Sequence, residues 1–139
     1  MRKYLWVVAG VGLAVVSACT DRQAEEEQSA ERMYYVTLRD LEEELESLPK
    51  AIDNYGEISK QYPNTSAGKK AGERRQKLLE AQGLLAGVEA VTGDSLIVVY
   101  RQARAVVPDY LPVLRRLGKI YFDNTYFQSR TASMKKLDG

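Results

Sequence analysis

From Tyr34 to Leu137 the apolar residues recur at three- and four-residue steps, and prolines and glycines interrupt the pattern. That spacing gathers apolar side chains on one face of a helix and does not suit the two-residue alternation of a half-buried strand. Tyr34, Tyr35, Leu38, Leu41, Leu45 and Leu48 form the first stripe, with Glu42, Glu43, Glu44 and Glu46 on the other side. A helix is expected over 29–48, with the glutamates solvated. Proline is excluded from a helix interior but suits a first turn, so Pro49 should open a second helix over 49–61. Its stripe is Ala51, Ile52, Tyr55, Ile58 and Tyr62, and Gly56 costs it about 1 kcal/mol relative to alanine.

Pro63-Asn64-Thr65-Ser66 ends that helix, and any of its three polar side chains can cap the next. The third helix is expected over 66–87, with Ala67, Ala71, Leu78, Leu79, Ala81, Leu84 and Leu85 buried. Its small residues Ala67, Gly68, Ala71 and Gly72 invite close approach by a neighbour. Thr92-Gly93-Asp94 is the next break, with Asp94 or Thr92 as cap. In 95–107, Leu96-Ile97-Val98-Val99-Tyr100 has the β-branched content of a buried strand. Leu96, Val99, Tyr100, Ala103 and Val107 also share a helix face, and a lone strand would have no pairing partner, so a helix is expected. Pro108-Asp109 then leads to a helix over 110–122. Asp123-Asn124-Thr125 should be a turn, and 126–137 a sixth helix.

The chain has one cysteine and no histidine. Cysteine–histidine nucleophilic chemistry and the usual zinc sites are therefore not expected, and no phosphate loop, nucleophile elbow or calcium loop is present. We expect no metal, no cofactor and no catalytic residue. The 45% hydrophobic content is enough for a packed core in one domain.

At the start, Met1-Arg2-Lys3 is a short positive region, and Tyr4 to Val16 is a 13-residue apolar run. A bilayer span needs about 20 residues, so this pattern reads as a signal peptide. The next residues, Val16, Ser17, Ala18 and Cys19, resemble the lipobox of bacterial lipoproteins. That resemblance implies cleavage after Ala18 and attachment of diacylglycerol and an N-acyl chain such as palmitate to Cys19, with no other cofactor. It divides the chain into a signal peptide (1–18), a lipidated cysteine with a polar tether (19–32) and a helical domain (33–139). Thr20, rather than aspartate, follows the cysteine, which by the sorting rule of such lipoproteins favours the outer membrane, facing the periplasm. Removing Arg2 and Lys3 from the 20 basic residues leaves 18 against 19 acidic ones. A balance so near zero gives no reason to expect nucleic acid.

The helix pairs also resemble a known repeat. Leu114-x2-Leu117-Gly118-x2-Tyr121 is similar to the first helix of a tetratricopeptide repeat. Ala51-x3-Tyr55 with Ile58 and Pro63, and Leu96-x3-Tyr100-x2-Ala103 with Pro108, are similar to second helices. Residues 51–65 resemble repeats of outer-membrane assembly lipoproteins and Tol-Pal coordination proteins. The likeness implies an all-α fold of antiparallel helix pairs stacked as a short right-handed solenoid of three repeats, with Gly118 allowing a close crossing. Arg39 and Glu42, Lys69, Gly72 and Glu73, and Arg130 depart from the repeat pattern, and the middle pair is extended. An irregular helical bundle is the alternative.

Two basic clusters, Lys69, Lys70, Arg74, Arg75 and Lys77, and Arg101, Arg104, Arg115, Arg116 and Lys119, suit either an anionic partner or a solvated face. In tetratricopeptide proteins the first helices line a peptide-binding groove, which makes Lys69, Arg116 and Lys119 the candidate partner-binding residues. The expected function is that of a lipid-anchored, non-enzymatic scaffold for protein partners in the cell envelope. The alternative is a self-assembling envelope lipoprotein that forms homo-oligomers.

Overall fold

The computed structural model describes the backbone of residues 5–137 and the side chains of residues 20–124. Every regular element among them is helical: α1 (Leu5–Leu41), α2 (Leu48–Gln61), α3 (Ser66–Leu85), α4 (Asp94–Val106) and α5 (Leu111–Leu137), with single 3-10 turns at Leu45–Ser47 and Val88–Ala90. α1 packs on both α2 and α3, α2 on α3, α3 on α4, and α4 on α5. One core runs through these layers, from Leu48, Ile52, Tyr55 and Ile58 across Ala71, Leu78 and Ala81 to Tyr100, Tyr110, Val113 and Leu117.

The segment 95–107, ambiguous between strand and helix, is helical, with Tyr100, Ala103 and Val107 buried. Pro49 lies in the first turn of α2. Of the three candidate caps before α3, Thr65 is the one used. Its Oγ1 accepts from the Gly68 N–H at 2.9 Å and donates to the Tyr62 carbonyl at 2.9 Å. Gly68 is needed here, because a Cβ on it would lie 1.8 Å from the Tyr62 oxygen. α3 stops at Leu85, and Gly87 follows with φ 78°, the left-handed conformation that glycine supplies after a helix.

Three expectations are corrected. The first helix ends at Leu41, not Leu48; the chain bends through 42–44, makes a 3-10 turn and re-enters helix at Leu48. α5 runs unbroken through Asp123-Asn124-Thr125, so among the described residues there is no sixth helix and the third helix pair is not formed. Asp, Asn and Thr are only mildly unfavourable inside a helix, and without a proline or glycine they do not end it. Before α4 the cap position is Gly93 at φ 65°, with no side-chain capping bond from Asp94 or Thr92.

Packing also amends the stripes. α1 turns Ala30, Tyr34, Thr37 and Leu41 inward, while Tyr35 is 61% exposed. Leu79 is exposed on α3. Gly118, expected at a close crossing, is exposed, and a Cβ there would meet nothing within 4 Å.

Candidate interaction surface

The bend after α1 creates a buried polar site. Glu42, read from sequence as a solvated glutamate, is only 4% exposed. Tyr55 on α2 donates its hydroxyl to Glu42 Oε1 at 2.7 Å. Arg74 on α3 donates Nε to the same oxygen at 2.9 Å and Nη2 to Oε2, a bidentate pair. The third arm of Arg74, Nη1, reaches Asp109 Oδ1 at 2.6 Å in the turn between α4 and α5. The Glu42–Arg74 pair thus joins the end of α1, α2, α3 and the turn before α5.

Its surroundings shift the neighbouring groups. Burial works against the Arg74 charge, but its bonds to Glu42 and Asp109 outweigh that and hold the guanidinium firmly protonated. Burial, reinforced by the Glu42 carboxylate, pushes the Tyr55 phenol far above its usual range. Partial burial works to raise Asp109, and the stronger pull of Arg74 holds it below the ordinary carboxylate value. Tyr34 packs its ring 5.3 Å from that of Tyr55. The fully buried Tyr110 hydroxyl has no hydrogen-bond partner among the described residues, and burial raises its pKa too. Arg74 binds both Glu42 oxygens, so the carboxylate is committed to the fold.

A second polar contact joins α1 to the bundle. Glu27 accepts the free backbone N–H groups of Ser66 (2.8 Å) and Ala67 (3.0 Å) at the start of α3. A carboxylate at this position also complements the helix dipole.

The partner-binding candidates Lys69, Arg116 and Lys119 are all exposed. They do not form one compact site: Lys69 lies in the first turns of α3, while Arg116 and Lys119 lie on α5, whose main neighbour is α4. Within the two basic clusters, Arg74 is withdrawn into the core, Arg115 donates to the Glu43 carbonyl at 3.2 Å, and Arg101 donates to the Tyr121 hydroxyl at 2.8 Å. What remains for a partner is a dispersed basic surface. The lipobox side chains and Cys19 lie outside the described side chains; their backbone belongs to α1.

An apolar cleft of about 360 Å³ lies between the entry to α2 and the exit of α3, lined by Leu45, Leu48, Pro49, Leu85 and Val88, with Glu46 and Glu89 alongside. Sequence reasoning missed it because it depends on the 3-10 turns at Leu45–Ser47 and Val88–Ala90. Among the described residues, no group of histidine, cysteine, aspartate or glutamate is placed to hold a metal ion, and no helix is long and apolar enough to cross a membrane. No family model matches the chain, and no curated protein or solved structure is significantly similar to it.

Proposed function

We propose that this chain is a lipid-anchored envelope protein whose helical domain is a non-enzymatic scaffold for other proteins, at the outer membrane facing the periplasm. The observation that carries the reading is the run Val16-Ser17-Ala18-Cys19 directly after a short apolar stretch with a positive start. Two or three acyl chains on Cys19 would hold the chain firmly to a membrane, where one would hold it only marginally. The arrangement of α1 to α4 supports the scaffold role. Each helix packs on the next, and α1 also contacts α3, as first helices of successive repeats do in a tetratricopeptide-like array. On this reading the array has two pairs, α1–α2 and α3–α4, followed by α5.

The test is expression of the full chain in a diderm bacterium with a Cys19→Ser control. The mature protein should begin at residue 19, carry the mass of acyl groups and sediment with membranes, and the control should lose all three properties. A mature chain that keeps residues 1–18, or starts elsewhere, refutes the anchor. Crosslinking in intact cells followed by mass spectrometry addresses the scaffold. Reproducible envelope partners should be recovered, and Lys69→Glu, Arg116→Glu and Lys119→Glu together should reduce them.

A further inference from the structure

The cleft between α2 and α3 is apolar inside and negative around its mouth. Leu45, Pro49, Leu85 and Val88 supply the apolar wall, and the exposed Glu46 and Glu89 stand beside it. The C-terminal end of α3 lies in the same wall at Leu85 and Ala86, and no basic residue occupies its last turn. The partial negative charge of that helix end is therefore uncompensated locally. Such a site favours an apolar side chain presented next to a cation.

The chain itself has a segment of that chemistry. Residues 125–137 contain Arg130, Lys135 and Lys136, with no aspartate or glutamate, and the apolar Phe127, Met134 and Leu137. This segment is the last half of α5. α5 has 27 residues and its antiparallel neighbour α4 has 13, so at 1.5 Å per residue α5 continues roughly 20 Å beyond the far end of α4.

We propose that the basic, apolar C-terminal half of α5 docks into the acid-rimmed cleft between α2 and α3 of a second copy of this chain. α5 and the 3-10 turn at Val88–Ala90 both lie against or directly before α4. The overhang therefore projects from the end of the bundle at which α4 begins. Two copies meeting at those ends can exchange their overhangs reciprocally, closing a dimer. This pairing names one partner for the scaffold proposed above but uses no residue before Leu45. It can fail while the lipid anchor stands, and the reverse is also true.

The test is the mass of the full chain in mild detergent, by light scattering with detergent subtraction. The wild type should associate, and the association should weaken with added salt. Glu46→Lys/Glu89→Lys and Lys135→Glu/Lys136→Glu alter exposed or terminal positions and should keep the helical circular-dichroism spectrum. Each pair should weaken association about ten-fold or more, and mixing the two variants should restore it. A wild type that stays monomeric up to about 100 μM, association indifferent to either reversal, or failure of the mixture to recover it overturns the proposal.

Discussion

Replacing Arg74 with methionine tests how the core is tied together. Methionine keeps most of the aliphatic volume of arginine and removes its charge. The Glu42 carboxylate, 4% exposed, would keep one described donor, the Tyr55 hydroxyl at 2.7 Å, and would lose both arms of Arg74. Removing one partner of a buried ion pair costs about 3–5 kcal/mol. In a domain of this size each kcal/mol moves the midpoint by about 3–6 °C, so Tm should fall by roughly 10–30 °C. The double variant Glu42→Leu/Arg74→Met replaces the pair with apolar groups and should recover most of that loss. A residual deficit of about 1 kcal/mol is expected from the Tyr55 hydroxyl left without its acceptor. Urea and thermal unfolding of residues 20–139, each followed by circular dichroism at 222 nm, give the free energies and the Tm shift. A loss under about 1 kcal/mol for Arg74→Met, or a double variant as unstable as the two single losses added, would refute the reasoning.

Three further outcomes use the same measurement. Gly68→Ala places a methyl 1.8 Å from the Tyr62 oxygen and should cost about 2–4 kcal/mol, whereas Gly118→Ala, with nothing within 4 Å, should stabilise by up to about 1 kcal/mol. Tyr110→Phe removes a buried hydroxyl that has no partner among the described residues and should be neutral or slightly stabilising; a loss above about 1 kcal/mol would mean that the hydroxyl is satisfied. Asp109 is held below its ordinary value of 3.8 by Arg74, so its contribution is present above that pH and is lost as pH falls through the lower folded value. Its side chain is 68% exposed, so Asp109→Asn should cost less than about 1 kcal/mol at pH 7, and the difference from wild type should vanish in acid.

The stripe of α2 was legible in the sequence because Ala51, Ile52, Tyr55 and Ile58 obey one period between two proline breaks, and the structure buries all four. The Glu42–Arg74 pair was hidden by the company its members keep. Glu42 belongs to an acidic run that looks solvated, and only the chain's exit from helix at Leu41 turns its carboxylate inward. A signal was nevertheless present on α3. In the series Ala67, Ala71, Arg74, Leu78, Ala81 and Leu85 every step is three or four residues, so Arg74 stands on the apolar stripe. A charge at such a position requires a buried partner. The last helix boundary was misread because Asp123-Asn124-Thr125 suggests a turn by composition, while the residues around it lack the proline or glycine that would enforce one.

The docking of Glu27 on the start of α3 makes the first helix act as a crankshaft. From Cys19 to Glu27 the backbone advances without a break in helix, a separation of about 12 Å at a fixed angular phase. One residue inserted at Gln23 would swing whatever Cys19 carries by about 100° around the helix axis relative to the bundle, while seven would nearly restore the heading and lift it by about 10 Å. Sensitivity to the phase of such insertions, more than to their length, would show that the direction in which the bundle faces is inherited from residue 19.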